Sequence, residues 1–290
     1  MNKRFFFLSL ILIVFVQFGF SQTILWKVSG KKLKSPSYVY GTIHIQDKKV
    51  FAFDETVTNA FNSCDAFAME ILMDELDMDE VKEAMFMEKH TIDEFLTDEE
   101  YRILDSIVKE MTGTGMLMYN KMKPFFLSSQ LMQMNMSQDM EMALDLYFLN
   151  MARDAGKSCY GVEKFSDQID AIDAISIEEQ VDMLYEGLTD TTSVNSDAQF
   201  DELLDAYLSF DSEKIFDISN DTALPAEFNK AFLIDRNKGM VKNFIKIAKK
   251  ESLFCAVGAA HLVGEEGVVE LLRKKGYTVE PVLFKWNIEE

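Results

Sequence analysis

Cysteine, proline and histidine are all scarce in this chain. It has 3 cysteines, 4 prolines and 3 histidines among 290 residues. Three cysteines are too few for a disulfide framework, so buried free thiols are the simplest interpretation of Cys64, Cys159 and Cys255. One disulfide with a spare thiol is the alternative in an oxidising compartment.

Positive charge is also scarce. The 29 Lys and Arg residues face 49 Asp and Glu residues, which gives a formal net charge of −20. A chain this acidic repels nucleic-acid phosphates and anionic lipid headgroups, so we expect neither as a partner. The simplest role of the acidic surface is solubility.

The N-terminus has the layout of a secretory signal peptide. Lys3 and Arg4 precede an apolar run at 5–16, and small residues follow near Ser21. This pattern predicts a signal peptide over residues 1–21 and an exported protein, which could be periplasmic, associated with the outer envelope or secreted. An uncleaved anchor is the alternative, but the run is shorter than the ~20 residues of a comfortable membrane span. We therefore expect no stable membrane span after cleavage.

Strand patterns lie towards both ends of the chain, and helical patterns fill most of the middle. Short runs rich in β-branched and aromatic residues predict strands at 24–29, 38–45, 66–72, 158–162, 253–258 and 277–284. Helical patterns occur at 54–63, 79–89, 98–111, 121–136, 137–155, 177–188, 199–210, 225–250 and 262–275.

This order of elements predicts a mixed α/β (α+β) fold with one domain at 22–290. We expect a central mixed sheet built from both chain ends and flanked by helices, with a helical insert at about 79–140. The first two strands are separated by turn residues and are predicted to form a hairpin. Pro281 indicates that the last strand lies at an edge of the sheet.

Two of the three histidines occur in the same setting, with a glycine three residues before each. They belong to the turns Gly41-Thr-Ile-His44 and Gly258-Ala-Ala-His261, each at the end of a predicted strand. Glycine allows a sharp turn or a close approach, and open α/β sheets bind ligands at the carboxyl ends of strands. Either histidine alone would be read as a hydrogen-bonded core or turn residue, but the pair predicts a shared site. His90 has acidic neighbours and is expected at the surface.

Two glutamates interrupt or end predicted strands. Glu70 is the only charge within 66–72, and Glu163 directly follows 158–162. A buried carboxylate is costly unless it is paired or binds a metal, so Glu70 is a candidate site residue. Glu163 is a second candidate, although strand ends are often solvated.

The predicted helix at 225–250 carries a cation within an apolar stripe. Arg236 shares this stripe, and Asn237 lies beside it. An arginine in such a position extends its charge to the surface or meets a carboxylate. Pairing with Glu70 or Glu163, or binding of a substrate oxyanion, would explain its presence.

The predicted helix at 137–155 contains an acidic residue between two apolar faces. Asp145 could be a solvated residue between the two apolar faces or a site residue, and the pattern favours neither interpretation. A nearby group of methionines could fill the core or line an adaptable groove. Its members are Met111, Met116, Met118, Met122, Met132, Met134, Met136, Met140 and Met142.

Several segments along nearly the whole mature chain resemble the TraB/GumN/TIKI family, with a bacterial GumN-like member as the nearest pattern. The segments are Leu25-Trp26, Tyr40-Gly41-Thr-Ile-His44, Ala68-Met-Glu70, Leu144-Asp145 through Gly161-Val-Glu163, Arg236-Asn237 and Val257-Gly258-Ala-Ala-His261. The resemblance implies a mixed sheet on which the two Gly-x-x-His turns converge. TIKI members are described as metal-dependent proteases that cut extracellular signalling proteins, with manganese or cobalt as the ion.

The leading hypothesis is therefore a metal-dependent hydrolase, in particular a peptidase, acting on a peptide or small-molecule substrate. His44, Glu70 and His261 would bind one divalent ion, Mn or Co, and leave a position for water. Glu163 would act as general base or further ligand, and Arg236 with Asn237 would stabilise the developing oxyanion. The residues assigned to catalysis are Glu163, Arg236, Asn237 and Asp145.

Two alternatives remain open. In the first, no metal takes part: His44 activates water as a general base and Glu70 orients it. A distant resemblance to erythromycin esterases, whose His/Glu centre is argued to work without metal, supports this version. In the second, the protein is a non-catalytic module that binds a peptide or small ligand in the methionine-rich groove. The sequence predicts no oligomeric state.

Overall fold

The computed structural model describes residues 23–134, 136–189, 196–219 and 226–288, and its centre is a six-stranded sheet. The strands are β1 Leu25–Ser29, β2 Ser37–Thr42, β3 Ala66–Met69, β4 Ser158–Gly161, β5 Leu253–Gly258 and β6 Thr278–Pro281. The predicted signal peptide and its cleavage point lie outside the described residues.

The sheet combines parallel strands with one antiparallel flank. Its order is β4-β3-β5-β2-β1-β6. The four strands β4, β3, β5 and β2 run parallel, whereas β1 pairs antiparallel with both β2 and β6. The predicted hairpin of the first two strands is therefore confirmed, and so is the edge position of Pro281 in β6. Strands from both chain ends meet in the centre, as expected for the mixed α/β class.

Helices flank the sheet and form most of the middle of the chain. They are α1 Glu55–Asn62, α2 Met78–Met85, α3 Asp98–Thr112, α4 Pro124–Met134, α5 Leu144–Asp154, α6 Phe165–Ile172, α7 Ile177–Thr189, α8 Ser196–Leu208, α9 Ser212–Ser219, α10 Ala226–Asn229, α11 Arg236–Ala248 and α12 Val268–Lys274. Among the described residues, no helix has the length and apolar character needed to cross a membrane.

The main core is aromatic and joins the sheet to α5. The ring centroid of Phe148 in α5 lies 5.3–5.9 Å from those of Tyr40, Phe53, Phe61 and Phe254. Rings at such separations pack edge to face or offset, and each buries a large apolar area. This packing fixes α5 against β2 and β5, and with it the side chain of Asp145 one turn earlier.

A second, smaller core lies in the helical middle of the chain. Its buried residues are Met87, Ile92, Leu104, Val108, Met116, Met122, Leu127, Leu131, Val181 and Leu184. They come from α3, α4, α7 and the connecting segments, so α7 packs with the predicted insert although it lies beyond residue 140. The division of the chain at about 79–140 stays a prediction.

The predicted helix at 137–155 is wrong over residues 137–143, because α5 begins only at Leu144. The preceding residues are irregular and bond instead to the segment after β2. The amide of Met140 donates to the carbonyl of Gln46, and the amide of Leu144 donates to that of Ile45. Backbone pairing with this loop replaces the helical bonds that the sequence pattern suggested.

Two further helical predictions differ from the structure. The predicted helix at 225–250 is divided: a π-helix at Lys230–Asp235 separates α10 from α11, and Pro225 lies outside the described residues. The predicted helix at 262–275 starts only at Val268, because Gly264 has a left-handed backbone (φ +83°) that ends any earlier helix.

Gly41 allows β2 to pack closely against the turn that carries His261. A Cβ at Gly41 would lie 2.9 Å from Leu262 Cδ1 and 3.1 Å from Ala259 Cα. The first distance is shorter than real Cβ contacts and the second is tighter than most of them, so a side chain at residue 41 would push the turn after β5 away from β2. The first glycine of one Gly-x-x-His motif thus positions the histidine of the other.

Gly41→Ala is expected to lower the free energy of unfolding by about 1–3 kcal/mol, because the added methyl must displace this turn. Chemical denaturation measures the change. Gly187→Ala is the matched control, since a Cβ there meets nothing within 4 Å and the residue is helical. The control should be neutral or stabilising by up to about 1 kcal/mol. Equal stabilities of the two variants would contradict the close-packing argument.

Candidate active site

Each of the four parallel strands is followed by one of the residues that the sequence singled out. His44 lies two residues after β2, Glu70 directly follows β3, Glu163 lies two residues after β4, and His261 lies three residues after β5. Because parallel strands end at one edge of the sheet, these side chains are brought together there. Glu70 was expected inside a strand, but β3 ends at Met69, so the carboxylate extends from the strand end.

His44 is oriented by Asp145 at the start of α5. Its Nδ1 lies 3.2 Å from Oδ2 of Asp145, and 55% of the His44 side chain is exposed to the cleft. Partial desolvation opposes the charged form, but the hydrogen bond and negative charge of Asp145, together with Glu70, outweigh it and raise the pKa of His44 to about 9. His44 therefore carries a proton near neutral pH while no ligand competes for it.

His261 is oriented by a neutral partner and is almost fully buried. Its Nδ1 lies 2.7 Å from Oδ1 of Asn237, while Nδ2 of Asn237 donates to the carbonyl of Glu266 at 2.9 Å. A carbonyl can only accept, so Asn237 must present its own oxygen to the histidine. Nδ1 of His261 thus carries the proton, and Nε2 presents a lone pair. Burial, with further contributions from Arg236 and His44, lowers the pKa of His261 to about 4 despite the opposing charge of Glu70.

Arg236 joins the two buried glutamates. Its Nε and Nη2 donate to both oxygens of Glu163 at 2.7–3.2 Å, and Nη2 also donates to Oε2 of Glu70 at 2.8 Å. Its Nη1 donates to the carbonyl of Phe232 in the π-helix. Gln168 in α6 adds a bond to each glutamate, at 3.1 Å to Glu70 and 3.3 Å to Glu163. The predicted pairing of Arg236 with the carboxylates is present with both of them.

The two glutamates differ in their electrostatic balance. Burial alone would raise the pKa of Glu70, but His261, His44, Arg236 and the amide of Gly258 outweigh it and hold the pKa well below its usual range. For Glu163, burial raises the pKa more than the bonds to Arg236 lower it. Glu70 is therefore the firmly ionised carboxylate at the centre of the cluster.

Gly258 leaves an open space between the three central side chains. A Cβ built on it would lie 3.3 Å from Oε1 of Glu70, 3.5 Å from Cδ2 of His261 and 4.0 Å from Nε2 of His44. The amide of Gly258 donates to the same Glu70 oxygen at 2.8 Å. The second glycine of the paired motifs thus keeps the meeting point of His44, Glu70 and His261 clear.

The donor set around this space fits a divalent cation in its chemistry. Nε2 of His261 faces Oε1 of Glu70 at 3.8 Å, and both atoms present lone pairs with no hydrogen between them. Two such donors repel unless a cation lies between them. Each histidine is also held at Nδ1 by an acceptor, as is usual for metal ligands. As placed, no group of three or more His, Cys, Asp or Glu side chains in the described part of the chain could hold a metal ion.

The cluster lies in a cleft of about 790 Å³. His44, Glu70, Asp145, Arg236 and His261 all line it, whereas Glu163 and Asn237 lie behind them. Both of these latter residues are buried, at 8% and 3% exposure of the whole residue, so they reach the cleft only through Arg236 and His261. The structure therefore brings all seven predicted site residues together in two layers.

Few of the methionines that could line a groove lie in this cleft. Of the nine methionines in the group, Met136 lines the cleft, while Met116 and Met122 are buried in the second core. Met118 and Met132 are mostly exposed. His90 bonds to Glu94 at the surface, as expected.

Gln168 is the site residue that the sequence reasoning missed. It occurs in an amphipathic helix, α6, where a glutamine ordinarily faces solvent. The spacing of residues within that helix gives no sign that it reaches across to Glu70, which is 98 positions away in the chain.

Comparison with known proteins agrees with the resemblance seen in the motifs. The chain is 23% identical to a metalloprotease TIKI homolog of Amphimedon queenslandica, over 88% of this chain and 60% of that protein. It is 21% identical to metalloprotease TIKI2 of Danio rerio, over 92% of this chain and 64% of that protein. The chain thus spans less than two thirds of the length of these relatives. A sequence model of the TraB/PrgY/gumN family matches residues 24–281, and the chain belongs to that family.

Proposed function

We propose that this protein is an exported, metal-dependent hydrolase that cuts peptides. The observation that carries the proposal is the meeting of His44, Glu70 and His261 around the space left by Gly258. The relationship to proteins named metalloproteases supports the reaction class, and the layout of residues 1–21 supports export. Manganese or cobalt is the proposed ion.

His44, Glu70 and His261 would hold the ion, through two imidazole nitrogens and one carboxylate. When bound, a divalent ion polarises a carbonyl and makes water more acidic. His261 is suited to a permanent ligand because its Nε2 lone pair is fixed by Asn237. His44 differs from His261 because it is exposed and must release its proton before it can bind the ion.

The remaining polar residues would support this centre. Arg236 neutralises Glu70 and Glu163 and fixes both carboxylates, so its role in the proposal is positioning rather than direct contact with an oxyanion. Glu163 lies behind Arg236 and positions it in turn. Asp145 holds the imidazole of His44 at Nδ1 and so orients its Nε2 towards the ion.

One observation favours a metal-free version of the same hydrolase. The glutamates are already paired with Arg236, and the described side chains are not preassembled into a group of three metal ligands. In that version His44, oriented by Asp145 and once deprotonated at Nε2, takes the proton of a water molecule that Glu70 orients. The two versions differ in whether a chelator abolishes hydrolysis.

We expect the purified protein to contain about one divalent ion per chain, and His261→Ala to lose most of it. The reason is that the substitution removes a fixed neutral nitrogen from the donor set. Inductively coupled plasma mass spectrometry measures the content, and peptide hydrolysis is assayed after chelation and after addition of Mn²⁺ or Co²⁺. His90→Ala is the matched control, since this third histidine lies at the surface.

Hydrolysis should disappear on chelation and return with the added ion. Hydrolysis that survives complete chelation but is lost in His44→Ala would replace the metal by the metal-free version. Equal metal content in His261→Ala and the unaltered protein would remove His261 from the ligand set. Unaltered hydrolysis in both His44→Ala and His261→Ala would reject an active site at this position.

Gly258→Ala is expected to lower kcat/KM for peptide hydrolysis at least tenfold with little change in the folding stability. The added methyl enters the space between Glu70, His261 and His44, while φ of Gly258 is −51° and suits alanine. Metal content and the thermal unfolding midpoint are measured beside the kinetics. Gly239→Ala in α11 is the control, because a Cβ there meets nothing within 4 Å. Full activity of Gly258→Ala would show that the reaction takes place elsewhere.

A further inference from the structure

The charged side chains of the cleft are confined to the catalytic cluster. Among the described residues that line the cleft, the ionisable side chains other than tyrosine are those of His44, Glu70, Asp145, Arg236 and His261. They are paired with one another: Asp145 with His44, and Glu70 with Arg236. No unpaired charge of this set is left to recognise a charged substrate side chain.

The rest of the wall is apolar or carries neutral amides and hydroxyls. Its apolar members come from several separate segments and include Ile43, Ile71, Met73, Leu203, Phe232 and Leu233. Ile71 and Leu233 are almost fully buried, whereas Met73 is 53% exposed at the rim. Side chains of this kind offer contact area to an apolar group and no hydrogen bonds to a polar one.

The neutral amides are suited to an extended peptide backbone. Gln46, Gln133 and Gln138 line the cleft. A carboxamide both donates and accepts, as the peptide group does, so it can pair with main-chain amides and carbonyls of any sequence. These residues give affinity for a peptide without selecting a charged side chain.

From this arrangement we infer that the cleft selects a peptide segment with a neutral, apolar side chain beside the bond that is cut. The inference rests on the proposed peptidase function. A basic or acidic side chain would lose its hydration in the cleft without gaining a partner, which costs free energy. An acidic one would also meet the field of a chain with net charge −20.

A peptide library tests the inference by cleavage. Each peptide has a fixed neutral sequence in which one position carries Leu, Phe, Asp or Lys, and mass spectrometry locates the cut. We expect kcat/KM to be at least tenfold higher for Leu or Phe than for Asp or Lys beside the cut bond. Equal rates for all four would overturn the inference and leave the peptidase function intact.

Met73→Lys tests whether this wall sets the preference. The new cation at the rim should lower hydrolysis of the Leu peptide several-fold and raise that of the Asp peptide. Met78→Lys is the matched control: Met78 is 72% exposed, also has acidic neighbours, and does not line the cleft. The control should keep the preference of the unaltered protein. A Met73→Lys preference identical to that of Met78→Lys would overturn the assignment.

Binding separates failure of the inference from failure of the proposed function. Fluorescence anisotropy of labelled library peptides is measured with His44→Ala, in which neither version of the reaction proceeds. Preferential binding of Leu and Phe peptides without any cleavage by the unaltered protein would support the inference and reject the peptidase function. Binding of Asp or Lys peptides as tight as that of Leu peptides would overturn the inference. Absence of both binding and cleavage would overturn both.

Discussion

The site depends on the ion pairing of one buried arginine with two buried glutamates. Arg236, Glu70 and Glu163 have side-chain exposures of only 5%, 11% and 2%. Removing one partner from such a group leaves an uncompensated buried charge and costs about 3–5 kcal/mol. The group links α11 to the ends of β3 and β4, so the carboxylate that faces the histidines is held by the same contacts that join these elements. The architecture and the electrostatics of the site are therefore inseparable.

The two glycines of the paired motifs solve different steric problems. Gly41 lets the turn after β5 approach β2, and Gly258 keeps the space between Glu70 and the two histidines open. The parallel pairing of β2 with β5 places Thr42 opposite Gly258, so the turn after β5 lies against the end of β2. At Gly41 a Cβ would lie 2.9 Å from Leu262 Cδ1, so this close approach of the turn requires a residue without Cβ. The two copies of the Gly-x-x-His motif therefore meet two different packing requirements.

Features that depend on the burial of charged side chains and on the order of the strands can be predicted from the sequence. Glu70 in an apolar run and Arg236 in an apolar stripe both indicate a buried charge that requires a partner, and pairing of Arg236 with Glu70 or Glu163 is one of the two explanations that the sequence offers. Hydrogen bonds to groups far away in the chain cannot be predicted from the sequence. Asn237 orients His261 only because its amide reaches the carbonyl of Glu266, and Gln168 reaches Glu70 only because α6 follows β4. No periodicity within a helix carries that information.

The two histidines are held by different partners. This difference is relevant to the finding that the described side chains do not form a preassembled group of metal ligands. His261 is buried at 5% exposure and bonded to a neutral amide, so its orientation and protonation are fixed by the fold. His44 is exposed and bonded to Asp145, whose Oδ1 is buried without a hydrogen-bond partner. On the proposed function, the inner half is therefore preorganised around Glu70 and His261, and only His44 has to lose a proton and turn inward. A centre built in this way keeps its buried ion pairs intact whether or not an ion is bound.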